Sequence, residues 1–137
     1  IAQRLVRKVC SNCIQSYNLD DEQIHELEKQ LNIESVLETM EKVKEIMDAK
    51  KGIKSILFYR GKGCKQCNNT GYKGRVGIYE VLENTEAISQ LMMKNANAHD
   101  IREAAVAGGM LHMVEDGFIK AKNGITTIEE ILRVTKE

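Results

Sequence analysis

The sequence predicts an α+β chain, mainly α: a small antiparallel sheet, a helical insertion gathered by four cysteines, and a C-terminal helical bundle. Three observations predict it. Apolar residues recur at helical spacing through two long stretches, roughly 20–48 and 85–135. Only short runs carry strand patterning, at 4–9, 55–59 and 75–82. All four cysteines fall in two Cys-x-x-Cys pairs, Cys10/Cys13 and Cys64/Cys67, with 50 residues between the pairs. A length of 137 residues, 42% hydrophobic and 29% charged, fits one globular domain or a small domain with an insertion. With 2 Phe, 4 Tyr and no Trp, the core must be aliphatic.

Arg4-Leu5-Val6-Arg7-Lys8-Val9 reads as a short strand leading into the first cysteine pair. Asp20 caps a helix, and Gln23 three residues on completes a capping box. Ile24, Leu27 and Leu31 form one stripe of that helix. Asn32 caps a second, whose stripe Val36, Leu37, Met40, Val43 and Met47 runs to about Asp48. Lys50, Lys51 and Gly52 close it, because cations and a left-handed glycine suit a helix C-terminus. Ser55–Tyr59 is strand-like, Gly61-Lys62-Gly63 a tight turn and Asn68–Gly71 another. Arg75–Leu82 is the best strand. Thr85 and Asn97 each cap a helix, the second ended by Gly108-Gly109. Met110–Lys122 is helical, stopped by Asn123-Gly124. Thr126-Thr127-Ile128-Glu129 reads as the capping box of a last helix.

Lys+Arg and Asp+Glu both number 20, which argues against a dedicated nucleic-acid binder. The charge is laid out in blocks. Residues 20–48 hold ten acidic and three basic side chains, and residues 50–75 hold eight basic and no acidic ones. No run is long and apolar enough to span a membrane, and the start shows no export signal. The absence of an initial methionine suggests a fragment or processed product.

Two Cys-x-x-Cys turns can aim four thiolates at one centre, the closed tetrahedral shell of a structural zinc site. Cys10, Cys13, Cys64 and Cys67 are therefore the expected metal ligands. Gly61, Gly63 and Gly71 let backbone amides approach the sulfurs, and Lys8, Lys62 and Lys65 can offset the charge. Redox thiols rank second and disulfides third, since a redox pair is usually single and neighbours in Cys-x-x-Cys bridge poorly. Four sulfurs leave no open position for water, so the site is scaffolding. Among the rest there is no phosphate loop, no G-x-S-x-G and no H-E-x-x-H; His25, His99 and His112 are scattered. The chain offers no catalytic and no nucleotide-binding residues of its own.

Several segments together resemble a known family. They are Gln3–Cys10, Gly63-Cys64-Lys65-Gln66-Cys67 continuing to Leu82, Ile101-Arg102-Glu103-Ala104-Ala105, Gly109-Met110, Asp116-Gly117 and Gly124–Thr135. This ordered set is similar to the C-terminal part of the secretion ATPases of type II secretion and type IV pilus assembly. The resemblance implies a parent that is a hexameric RecA-like motor. Such a motor hydrolyses ATP with Mg2+ and drives pilin or pseudopilin extension from the cytoplasmic side of the inner membrane. Its phosphate loop, acidic boxes and histidine box lie upstream of Gln3. It implies that 1–13 and 61–84 are motor-edge strands with the zinc site, 14–60 a zinc-bound helical insertion, and 85–137 a helical subdomain. The implied partners are the upstream motor, neighbouring subunits and an inner-membrane platform protein, with no nucleic acid and no direct membrane insertion. Retraction members of the family lack the cysteine pairs, which points to the assembly or secretion kind. The alternative is a free-standing zinc adaptor that binds a protein or nucleic acid through the basic 50–75 segment.

Overall fold

Strand β1 (Ala2–Val9) buries Val6 and Val9, three residues apart, because the register shifts between Arg7 and Val9. It pairs antiparallel with β4 (Tyr72–Glu80), Val6 opposite Val76 and Val9 opposite Tyr72, with an irregularity between Arg7 and Val9. A second two-stranded antiparallel sheet joins β2 (Ile14–Tyr17) to β3 (Phe58–Gly61). The helices are α1 (Asp21–Glu28), α2 (Ile33–Lys42), α3 (Glu86–Met93), α4 (Ala98–Ala107), α5 (Met113–Lys122) and α6 (Ile128–Thr135). This computed structural model describes residues 1–46 and 48–135; Met47, the last member of the expected α2 stripe, lies outside them.

Side-chain caps set most helix starts as expected. Asp20 accepts from the Gln23 amide at 2.8 Å, and the Gln23 side chain accepts from the Asp20 amide at 3.1 Å. Asn32, Thr85 and Asn97 cap α2, α3 and α4 the same way. Several boundaries differ. The described residues hold four strands in two sheets rather than about three in one. Residues 53–55 form a 3-10 turn, not a strand. The Ser55 amide and hydroxyl both donate to the Gly52 carbonyl, and the Asn18 amide takes the Lys54 and Ile56 carbonyls. That leaves β3 to start at Phe58. Helix α2 stops at Lys42 because Lys44 turns left-handed (φ 63°) and the Glu45 amide reaches back to the Met40 carbonyl. β4 starts earlier than Arg75, because Tyr72 pairs with Val9, and ends before Val81 and Leu82. Helix α5 starts at Met113, after Gly109 (φ 106°) breaks the chain direction.

One apolar cluster runs through the molecule. It joins Leu27, Val36, Leu37 and Met40 of α1 and α2 to Phe58 of β3, Phe118 of α5 and Ile131 of α6. Phe58 and Phe118 meet edge to face, centroids 6.2 Å apart. Gly117 lets α6 approach: a Cβ there would sit 2.9 Å from Ile131 Cγ1. Helices α3 and α4 pack chiefly on one another.

The start of α6 is nailed to the outer edge of β1. Arg7 donates its amide to Glu130 Oε2 at 2.7 Å and its guanidinium to Oε1 at 2.8 and 3.1 Å. Arg133 binds the same carboxylate at 2.8 and 3.0 Å. The Thr126 hydroxyl donates to the Arg7 carbonyl at 2.8 Å, and the Val9 amide to the Ile125 carbonyl at 2.9 Å. The helix cap is therefore Thr127, whose hydroxyl accepts from the Glu130 amide, and not Thr126. Glu130 is almost fully buried, which pushes its carboxyl up, but the hydrogen bonds from Arg133 and Arg7 outweigh this and hold it at about 2. A folded value below the usual ~4.3 of glutamate means that this network acts in full above that pH and is lost as the pH falls toward the folded value. Glu130→Gln should cost about 2–3 kcal/mol at neutral pH. It should also flatten the acid limb of stability below about pH 4, read by urea unfolding across pH.

Candidate metal centre

Two turns build the site at one shared end of the two strand pairs, where Val9 faces Tyr72 and Ile14 faces Gly61. β1 ends at Val9, and Cys10 enters the first turn with its amide on the Gly71 carbonyl at 2.9 Å. The Cys13 amide closes back on the Cys10 carbonyl at 3.3 Å, and the Lys62 amide joins the second turn to the Cys13 carbonyl at 3.0 Å. Cys64 is extended and opens a 3-10 turn over Lys65–Cys67. Asn68 and Asn69 then adopt left-handed backbone (φ 55° and 61°), and the Asn69 amide returns to the Cys64 carbonyl at 2.8 Å. Asparagine tolerates that region better than other side chains. The Thr70 hydroxyl donates to the Cys67 carbonyl at 2.6 Å and locks the exit into β4.

The four sulfurs converge. Cys10 and Cys64 Sγ are 3.8 Å apart, Cys13 and Cys67 3.8 Å, and Cys64 and Cys67 3.6 Å. All four lie within 4.8 Å of one another. Disulfide sulfurs stand about 2.05 Å apart, and all four thiols are free. A tetrahedral four-sulfur shell with bonds of about 2.3 Å has its sulfurs about 3.8 Å apart. The arrangement matches the second geometry, so these four residues can hold a metal ion. Cys10 and Cys67 are buried, Cys13 and Cys64 half-buried.

Donors surround the sulfurs. The Gly63 amide points at Cys13 Sγ (3.3 Å), the Cys64 and Gly71 amides at Cys67 Sγ (3.2 and 3.3 Å), and the Asn12 side-chain amide at Cys64 Sγ (3.2 Å). Each favours the thiolate. The Asn12 bond is the main cause of the lowered Cys64 value. Burial pushes Cys67 up, yet the Cys64 and Gly71 amides bring it down to about 6. Cys13 is pushed up to about 11 by burial, only partly countered by the Gly63 amide. Thus the expectation that glycines admit amides to the sulfurs holds for Gly63 and Gly71. Gly61 serves otherwise: its backbone lies against that of Gly71, where a Cβ on Gly71 would come within 2.6 Å of the Gly61 carbonyl oxygen. Lys8, Lys62 and Lys65 are exposed, and among the described residues none bonds a sulfur. Asn12 was missed, and nothing in its sequence position signals that its side chain reaches across 52 residues to Cys64.

The histidines stay apart from this centre. His99 pairs with Glu103 on the surface of α4, and His112 precedes α5 beside a cavity of about 890 Å³. Among the described residues the cysteines are the single group whose ligand atoms could share a metal ion, and no helix is long and apolar enough to cross a membrane.

The model of the type II/IV secretion system protein family matches residues 1–133. The chain belongs to that family. Over its whole length it is 38% identical to a type IV pilus assembly ATPase, PilB, of Pseudomonas aeruginosa, covering 21% of that protein. It is 34% identical to the type II secretion system ATPase E of Vibrio cholerae, covering 23% of it. It is 36% identical to a PilB of Thermus thermophilus, of which it covers 13%. The chain thus spans about a fifth, or less, of the curated relatives it matches. In this chain the second cysteine turn is flanked by Gly61, Gly63 and Gly71, and the backbones of Gly61 and Gly71 lie against one another. Gly71→Ala should therefore lower stability by about 2–4 kcal/mol, as strained backbone and a backbone clash add. Gly52→Ala, at a similar positive φ (76°, with ψ 172°) but with open space around it, should cost about 1–2 kcal/mol from backbone strain alone. Similar losses for both, measured by urea unfolding, would mean the close approach carries no weight.

Proposed function

We propose that Cys10, Cys13, Cys64 and Cys67 hold a structural Zn2+ ion, and that the chain is a non-catalytic C-terminal module of an ATPase powering type IV pilus assembly or type II protein secretion. One observation carries the metal reading: four sulfurs within 4.8 Å of one another, three of their separations at 3.6–3.8 Å, close to the edge length of a four-thiolate zinc shell, on turns already hydrogen-bonded for thiolates. Softness of the donor set favours zinc over calcium or magnesium, which take oxygen. A closed shell supplies no bound water for chemistry. When bound, the ion would contribute folding energy by tying residues 10–13 to 64–67.

Membership of the family, with relatives named as pilus assembly and secretion ATPases, supports the rest. The parent motor hydrolyses ATP with Mg2+ through residues that this chain does not carry. In the hexamer, segments 1–13 and 61–84 join the edge of the motor's sheet, 14–60 is the zinc-bound insertion, and 85–137 is a helical subdomain facing neighbouring subunits. The assembly works at the cytoplasmic face of the inner membrane, docked through an inner-membrane platform protein rather than through lipid.

The protein purified from zinc-containing medium should carry about one zinc per chain by elemental analysis. Its four thiols should react with a disulfide reagent only after chelation, and it should hydrolyse no ATP. Thiols that react at once, or cycle through disulfides with the fold intact, would overturn the metal reading. Nucleotide turnover by the chain would overturn the non-catalytic one.

A further inference from the structure

The seam between α1 and α6 is open to solvent on one side. Leu19, Leu27, Ile128 and Leu132 make its apolar floor, and the groove encloses about 270 Å³. Leu19, Leu27 and Ile128 are fixed members of the core, so the floor is formed in advance. The banks are acidic. Glu22 and Glu26 stand on α1, Glu129 on α6, and all three are exposed. Glu26 shares a surface pair with Lys29 on its own helix, at 3.1 Å, while Glu22 and Glu129 have no ion-pair partner among the described residues. The groove does not end at Leu132. Gln30 and Leu132 also line the neighbouring 890 Å³ cavity, so the seam continues along both helices.

We propose that this groove docks a short amphipathic segment of a partner protein, presenting a row of apolar side chains flanked by lysine or arginine. An apolar floor wide enough for inserted side chains, bounded by helices, is the geometry of helix-in-groove recognition. The charge of the banks selects the occupant. Cations beside the row meet Glu22 and Glu129, which have no ion-pair partner among the described residues, whereas an acidic segment would be repelled and a neutral one would gain nothing from the banks. The surrounding stretch 20–48, ten acidic against three basic residues, extends that field and speeds encounter with a basic partner. This inference is independent of the metal reading: it rests on α1 and α6 and on no cysteine.

The test uses the 137-residue chain and a fluorescein-labelled helical peptide about four turns long, leucine on one face and lysine elsewhere, followed by anisotropy at fixed ionic strength. Binding is expected to weaken about tenfold or more in the double variant Glu22→Lys with Glu129→Lys. It should weaken similarly in Gln30→Trp, which fills the groove without changing charge. The double variant Glu34→Lys with Glu38→Lys makes the same charge change on the exposed side of α2 and should shift binding less than about twofold. Peptides with the leucines scrambled, or with glutamate for lysine, should bind at least tenfold more weakly. Circular dichroism confirms that each variant is folded. Equal losses for both double variants, or no response to Gln30→Trp, would reduce the binding to diffuse charge and overturn the proposal. Concentration-dependent dimerisation in sedimentation, abolished by the Glu22/Glu129 variant, would also overturn it by making a second copy the occupant.

Discussion

The meeting of two cysteine turns is the constraint on which the rest depends. Cys10 and Cys13 leave the end of β1, Cys64 and Cys67 lead into β4, and their four sulfurs lie within 4.8 Å of one another. Everything from 14 to 63 is thereby a closed loop. Closing 50 residues costs conformational entropy that grows only slowly with length, so a single tight junction can hold a large insertion. The junction is made by backbone as much as by sulfur. The Cys10 amide on Gly71 and the Lys62 amide on Cys13 tie the turns together with main-chain bonds, and these would place the thiolates before any ion arrives.

The segment between the two cysteine pairs does not fold as an appendage. Leu27, Val36 and Met40 enter one apolar cluster with Phe118 and Ile131, so α1 and α2 share their core with the C-terminal helices. The terminal helices are tied to the sheet by polar contacts as well. Glu130, buried and doubly paired with Arg7 and Arg133, fixes the start of α6 against the outer edge of β1. The other edge is closed in kind: the Tyr79 amide donates to Asp116 of α5, and Lys120 of the same helix donates to the Gly77 carbonyl. Both flanks of the β1–β4 ladder thus have backbone groups satisfied by helix side chains, which blunts a sheet that would otherwise invite further strands.

Local chemistry was legible in the sequence, and long-range chemistry was not. Asp20, Asn32, Thr85 and Asn97 cap helices through amides three residues on, a pattern contained in the sequence itself. The cysteine quartet was legible because two equal spacings with no thiol left over admit few geometries. The short strand β2 was not. Ile14-Gln15-Ser16-Tyr17 is largely exposed and has no apolar alternation, and it becomes a strand because β3 lies beside it. Helix α2 continues in pattern past Lys42, yet a left-handed Lys44 ends it, a choice made by the turn into the 3-10 segment rather than by propensity. Glu130 lies in the first turn of α6, where an acid is ordinary; its burial is offset by Arg7, 123 residues away. Asn12 gains its role only once Cys64 is near.

The central claim is that the four sulfurs share one ion in a closed shell. Zinc K-edge X-ray absorption on the purified protein tests it most directly. The account predicts a first shell of four sulfurs at about 2.3 Å, with no nitrogen or oxygen in it. A shell containing light-atom ligands, or fewer than four sulfurs, would contradict it.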